Sequence, residues 1–491
     1  MTFILLSICF PIVSGVYLLA RKDFAKRESL LGTAGVCLTV AGALLLLALW
    51  RERGVTYTLF YLTKTLPVEF HIDEAGVLFA VLCGIVFVCA GFFSFEYMKH
   101  EEHEKRYYGF YLMVLGVLCG ICFAGNLITF YLFFELLTLV SMSLVLHDQS
   151  HKAVMAGLKY LFYSLCGAYM ALFGLYVVNR YGTTLHFAGG GVLGAEASEH
   201  VGILLVAAFL MLVGFGVKAG MFPMHAWLPA AHPVAPAPAS AVLSAVIVKA
   251  GVLGIVRVVY YIFGTELLRG TWVQYTWLTL SLLTVFMGSM LAYREDVLKK
   301  RLAYSTVSQV SYILFGLAVM NSTALTGSFL QVLSHGFVKA ALFLCAGAII
   351  FRTGKTRVSE LRGIGKEMPV LMWCYTIVSL GLIGIPPTGG FVSKWYLAQG
   401  ALSGGIRCFA WVGPAVLLVS ALLTAGYLLP LTIQGFFPGA DYDYNALKKK
   451  EPSLLMNLPI VLLTALSVII GIWPELVTDY LFELINQRLM L

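Results

Sequence analysis

Long apolar stretches, each closed by a short polar or basic loop, recur along the chain. A helix needs about 17–25 predominantly apolar residues to cross a bilayer. Windows of that kind fall at 2–20, 30–50, 76–97, 109–124, 126–146, 156–178, 202–224, 236–262, 272–293, 303–319, 325–351, 370–400, 409–437 and 456–483. The pattern predicts an all-α polytopic membrane protein with fourteen spans. The fourth window is short, and only Ala124-Gly125-Asn126 separates it from the fifth.

Loop charge tests the count. Loops after odd-numbered windows carry Arg21, Lys22, Lys26 and Arg27, then Lys99, Lys105 and Arg106, then Lys152. Later ones carry Arg294, Lys299, Lys300 and Arg301, then Arg352, Lys355, Arg357, Arg362 and Lys366, then Lys448, Lys449 and Lys450. Loops after even-numbered windows are poorer, with Arg51, Arg53 and Lys64 in one and single residues such as Arg180, Arg269 and Arg407 in others. Lys and Arg mark the cytoplasmic side. This bias predicts a plasma-membrane protein with both termini on the outer side.

Windows seven and twelve are interrupted. One reads Gly214-Phe215-Gly216-Val217-Lys218-Ala219-Gly220 and then Pro223; the other runs from Gly381 through Pro386-Pro387-Thr388-Gly389-Gly390 to Ser393-Lys394. Gly and Pro free backbone groups that lipid cannot satisfy, so such breaks face protein or a wet cavity. The breaks lie five windows apart. A five-helix unit repeated in tandem enters the membrane upside down the second time, so windows four to eight and nine to thirteen are expected to form an inverted repeat. The expected organisation is 1–108 for three leading spans, 109–262 and 263–437 for the repeats, and 438–491 for the last span.

Composition agrees. The chain has 491 residues, 60% hydrophobic and 12% charged, against roughly 25% charged in soluble proteins. The net charge of +8 does not point to nucleic acid, because the basic residues sit in short loops beside apolar segments. The ten cysteines are scattered; Cys119 and Cys122 form a lone CxxC that reads as small buried hydrophobes. The N-terminus lacks a basic leader region and a small-residue cleavage site, so it reads as a retained first span.

Against this apolar background a few ionisable residues stand out. A charge at the bilayer centre costs about 3 kcal/mol or more and is a functional-site hypothesis by default. Glu135 lies near the middle of window five and Lys218 beside the first break. A carboxylate beside a buried ammonium keeps it charged; separating them releases a proton. The alternative is a static ion pair, although such pairs stabilise weakly. Lys249 lies mid-span in window eight, where snorkelling to an interface is the alternative. His335 and Lys339 stand four residues apart on one helix face, and histidine relays protons near neutral pH; a satisfied core histidine is the competing reading. Ser305, Thr306, Ser308, Gln309 and Ser311 offer hydroxyls and an amide for ordered water, and Lys394 stands at the second break. Glu135, Lys218, Lys249, His335, Lys339 and Lys394 thus form a titratable series across both repeats.

His225 and His232 flank the Pro-rich loop after window seven. They either link the interior to cytoplasmic water or cap helix ends. As haem or metal ligands they lack an acidic or thiol partner. His100, His103, His147 and His151 read as solvated, and Asp73, Glu74 and Glu96 as interface residues. No P-loop or dinucleotide fingerprint is present, so energy is expected from an ion gradient or a partner, and no metal or redox cofactor is expected on this chain.

The run GFGVKAGMFPMHAWLPAAHPVAPAPASAVLSAVIVKAG, the Phe134-Glu135 element and the break GIPPTGGFVSK resemble the antiporter-like subunits of respiratory complex I and their relatives. These relatives are the Mrp-type sodium/proton antiporters and the membrane-bound hydrogenase and formate hydrogenlyase complexes. Phe70-His71-Ile72-Asp73-Glu74-Ala75-Gly76 resembles the family's pre-helix motif, usually Val-Asp-Gly-Leu, and departs from it at Glu74-Ala75. The resemblance implies fourteen spans, two inverted repeats and proton transfer through a hydrophilic axis. By motif, Glu135 and Lys218 are the coupling pair, Lys249 the connecting lysine, His335 and Lys339 the relay, and Lys394 the exit-side residue. A lysine rather than glutamate at that last position resembles the Mrp D-type and hydrogenase-linked subunits. With Leu491 soon after the last window, the resemblance leads us to expect neither the distal complex I type nor the Mrp A-type, the largest members with a long lateral helix and extra spans.

The expectation is an antiporter-like, proton-translocating subunit of a larger complex. Its partners would be other membrane subunits and, in a redox complex, peripheral iron–sulfur subunits. Competing readings are a stand-alone transporter of a small solute and a structural anchor for redox subunits.

Overall fold

The computed structural model describes residues 2–22, 24, 26–64, 66–439, 442 and 449–488; Lys448 of the expected basic loop lies outside them. Helices α1 (Thr2–Ala20), α2 (Arg27–Arg51), α3 (Glu74–Tyr97), α4 (Glu104–Cys122), α5 (Leu127–Val145), α6 (His151–Tyr181) and α7 (Val201–Ala219) follow in order. After α7 come a short α8 (Leu228–Val234) and a long α9 (Ala237–Phe263). Then follow α10 (Trp272–Arg294), α11 (Leu298–Val319), α12 (Ser322–Thr353), α13 (Pro369–Ile383), α14 (Gly389–Ser403), α15 (Phe409–Phe436), α16 (Leu454–Ile472) and α17 (Glu475–Glu483). Twelve of these helices are long and apolar enough to cross a membrane. The two other expected windows hold α4, which opens on Glu104-Lys105-Arg106, and the α13–α14 pair on either side of the second break.

The hydrophobic pattern says nothing of a hairpin between α2 and α3, yet β1 (Thr56–Thr63) and β2 (Leu66–His71) pair antiparallel there, with Tyr57 opposite Phe70. Their Thr, Tyr, Phe and Val content suits a pleated, half-buried surface. Several helices start on side-chain caps. Asn126 Oδ1 accepts from Thr129 N at 2.8 Å, and Asn321 Oδ1 from Ala324 N at 2.8 Å.

The core sits around α9, α11 and α12. The apolar windows of these three are 100%, 94% and 94% buried, against 28–67% for the other nine. Polar groups on them therefore face protein, not lipid.

The glycines of window seven do not interrupt a helix. Gly214 and Gly216 lie inside α7, and the break falls at Gly220, whose φ of +77° is a left-handed cap. Gly214 instead permits contact with α6: a Cβ on it would sit 2.4 Å from Gly167 O, and one on Gly167 would sit 2.5 Å from Gly214 O. Gly384, with φ +94°, ends α13 in the same way.

Candidate functional site

Lys218 lies in the last turn of α7, where the helix C-terminus favours a cation. It is buried. Its Nζ donates to Thr138 Oγ1 at 2.6 Å and to Tyr160 Oη at 3.3 Å, and stands 4.8 Å from the centre of the Phe134 ring. Tyr160 Oη also lies 2.8 Å from Ser141 Oγ. Glu135 is one turn before Thr138 on α5, half-buried, with Oε1 lacking a hydrogen-bond partner. Its charge and that of Lys218 interact, but the two make no ion pair in this structure. The expected carboxylate–ammonium contact is open, and two hydroxyls hold the ammonium.

Lys249 sits on α9 where the helix returns to α form after a π turn at Leu243–Ile247; such turns recur at functional sites. Gly251 lets α9 close on α7, since a Cβ there would meet Phe215 O at 2.5 Å. Lys249 Nζ donates to Ser244 O at 2.7 Å and lies 2.8 Å from His335 Nδ1. Both side chains are buried, and His335 Nε2 has no partner. An ammonium facing an imidazole nitrogen can exchange a proton without moving backbone.

Helix α12 presents a stripe at four-residue spacing. Gln331, His335, Lys339 and Phe343 stand one turn apart along it. Lys339 Nζ donates to Leu302 O at 2.9 Å and to Ser305 Oγ. At the other end Gln331 Nε2 donates to Gln309 Oε1 at 3.1 Å, and Ser393 Oγ donates to Gln331 Oε1 at 2.5 Å. Ser393 is the neighbour of Lys394 on α14. The half-buried Lys394 reaches back across the break, and its Nζ donates to Leu382 O at 2.5 Å and Ile383 O at 2.8 Å, the last carbonyls of α13. Both breaks therefore carry an ammonium at the C-terminal end of the helix that precedes them.

The two loop histidines differ. His225 is half-buried with Nδ1 unpartnered. His232 is fully buried on α8, has neither ring nitrogen bonded, and stacks 4.5 Å from Phe343.

Three expectations need correction. His147 is buried rather than solvated, with Arg106 Nη2 donating to its carbonyl; burial and the nearby Arg106 hold its imidazole down at about 4. Lys299 and Arg301 are buried at the start of α11 instead of lying free in a basic loop. Asp73 is not a free interface residue: its carboxylate accepts from both Nη atoms of Arg257, at 2.7 Å for the Nη2–Oδ1 contact. Arg257 lies in window eight and was missed as a candidate. A second cation in the same apolar window, two turns past Lys249, was the available signal.

The chain is similar to known membrane subunits over most of its length. The family described as "NADH:quinone oxidoreductase/Mrp antiporter, TM" matches residues 124–436, and that described as "NADH-Ubiquinone oxidoreductase (complex I), chain 5 N-terminus" matches residues 62–108. An NADH-quinone oxidoreductase subunit N from Desulforudis audaxviator is 32% identical over 423 residues, 83% of this chain and 82% of that one. A D-type Na(+)/H(+) antiporter subunit from Alkalihalophilus pseudofirmus is 29% identical over 490 residues, 99% of this chain and 97% of that one. A chain in the structure of the Mrp complex from Dietzia sp. superposes with a TM-score of 0.84 at 23% identity, covering 98% of this chain and 96% of that one, which establishes a shared fold. The chain belongs to the family of antiporter-like membrane subunits of NADH:quinone oxidoreductases and Mrp antiporters.

Proposed function

We propose that this subunit moves protons along its buried polar line, from Glu135 and Lys218 through Lys249, His335 and Lys339 to Lys394, inside a larger membrane complex. The observation that carries the reading is the 2.8 Å contact between Lys249 Nζ and His335 Nδ1 in a core closed to lipid. A static core would replace such a pair with apolar residues at little cost. The open Glu135–Lys218 contact fits a switch: closing it holds the proton on Lys218, and opening it passes the proton on. Sodium exchange or a redox partner would drive the closing. The relatives' names, a Na(+)/H(+) antiporter subunit and a quinone oxidoreductase subunit, support both drives.

The half-buried Glu135 shares α5 with exposed Leu132, Leu136 and Leu139, and α6, which packs on α5, exposes Phe162, Tyr169 and Tyr176. A carboxylate at such an edge is costly against lipid, which favours a neighbouring membrane subunit over that face. Lys/Arg bias favours a plasma-membrane location with both termini outside. The paired breaks, each with an ammonium at the end of the helix before it, support two inverted five-helix repeats over 109–262 and 263–437 within fourteen spans.

The test is proton translocation by the reconstituted complex carrying Lys218→Ala or Glu135→Ala, with assembly checked by co-purification. The proposal expects normal assembly and loss of proton flux. Solute uptake by the chain alone, or normal pumping by both variants, would overturn it.

A further inference from the structure

Where α1 turns into α2, a cavity of about 390 Å³ opens on the basic-loop side. Its volume lies in the range of small-molecule sites, about 300–1,000 Å³. The α1–α2 loop, the first turn of α2 and the N-terminus of α4 enclose it. Lys22, Lys26, Arg27 and Lys105 supply its cations, and the half-buried Phe24 and buried Leu30 its apolar wall. Lys105 Nζ donates to Arg21 O at 2.8 Å and to Lys22 O at 3.3 Å, which ties the loop to α4. Arg21 in turn lies over the Phe24 ring, 4.4 Å from its centre. Among the described residues Glu104 is the one carboxylate on the lining, and it is engaged. Its Oε1 accepts from Arg27 Nε at 2.6 Å, and its Oε2 is shut from solvent. With Arg27 and Glu104 cancelling, three ammonium groups remain. Asp23 of the same loop, outside the described residues, removes one of these charges at most. Lys22 and Lys26 are exposed, and among the described residues neither ammonium has a partner. Basic residues that served only to set topology would be solvated and would need no walled cavity. The two helices that lead from the cavity into the membrane are bare. The apolar window of α2 is 28% buried, the lowest share of the twelve, and that of α1 is 39% buried. Val36 and Val40 on α2 and Val13, Val16 and Tyr17 on α1 are exposed.

We propose that this cavity binds the phosphate of an anionic glycerophospholipid, whose acyl chains then lie along the exposed flanks of α1 and α2. Clusters of Lys and Arg at the polar end of a span recognise such headgroups. The free ammonium groups of Lys22 and Lys26 donate charge-assisted hydrogen bonds to the phosphate oxygens. The glycerol backbone rests against Phe24 and Leu30. A choline lipid carries its own cation and would set it among three others, so an anionic headgroup is selected. Proton movement is not required for this binding.

The test uses the assembled complex in phosphatidylcholine vesicles doped with photoactivatable phosphatidylglycerol, with the crosslinked peptides mapped by mass spectrometry. Label is expected on residues 22–30 and at the start of α4. Each basic side chain beside an anionic lipid is worth about a fivefold gain in binding. Lys22→Gln with Lys26→Gln should therefore cut this label by roughly tenfold or more. Label on the exposed α15 residues Leu418 and Leu422 should not change. Lys22→Arg with Lys26→Arg should restore the label. Photoactivatable phosphatidylcholine should not enrich at the cavity, and excess unlabelled phosphatidylglycerol should compete where the same concentration of inorganic phosphate does not. Unchanged label in the double Gln variant, or equal label from phosphatidylcholine, would overturn the site. Equal displacement by inorganic phosphate would overturn the lipid as its ligand. If the double Gln variant fails to assemble, Lys26→Gln alone decides: a loss of about fivefold supports the site, and wild-type label refutes it.

Discussion

Replacing His335 separates the relay from simple packing. Its Nδ1 lies 2.8 Å from Lys249 Nζ, and the lysine also donates to Ser244 O. A hydrogen bond to a charged group contributes about 1.5–3 kcal/mol, and a buried group left unpaired loses at least that. His335→Leu removes the acceptor, so the protein should lose stability by about that amount and stop pumping. His335→Gln keeps a carbonyl acceptor for Lys249 but cannot bind and release a proton. It should recover most of the stability and none of the pumping. Thermal unfolding of the purified complex reads the first quantity, and dye-monitored acidification of liposomes reads the second. One tenfold step in rate corresponds to about 1.4 kcal/mol in barrier, so even partial function would be visible. Wild-type pumping by His335→Gln would refute the relay, because the bond geometry would then suffice without titration.

Asp73→Asn breaks a buried ion pair and should destabilise by about 3–5 kcal/mol, read as a lower melting temperature; Asp73→Asn with Arg257→Met should recover much of that loss. Gly214→Val puts side-chain atoms against Gly167 O, where even a Cβ has only 2.4 Å, so α6 and α7 should separate and yield of the assembled complex should fall. His147 has a folded value of about 4 against an ordinary 6.5, so the unfolded chain binds more protons between those limits; its contribution is fully present above pH 6.5 and is lost as pH falls toward 4. Melting curves of His147→Gln should lack that part of the wild-type slope, and an unchanged slope would argue against the assignment.

The apolar windows matched the long helices because a bilayer allows few alternatives to a helix, and length and hydropathy then suffice. The ionisable residues were legible for the same reason: each stood alone in an apolar run. Their partners were less so. Spacing paired His335 with Lys339, since both lie on one face, but the nitrogen of His335 meets Lys249, 86 residues earlier. Asp73 and Arg257 are 184 residues apart, beyond any periodicity argument. The glycines of α7 looked like a break and serve as a crossing with α6, because sequence cannot tell a glycine needed for φ from one needed for space. The hairpin of β1 and β2 was hidden in a stretch too short and too polar to read as a span. Lys299 looked like one more loop charge until the end of α8 was seen folded against it.

The most direct measurement is protons moved per turnover of the driving reaction by the reconstituted complex carrying Lys249→Leu. The account predicts that the complex assembles and that proton yield drops by this subunit's full share. An unchanged yield would mean that protons cross the membrane without passing Lys249, and the buried line would not be their path.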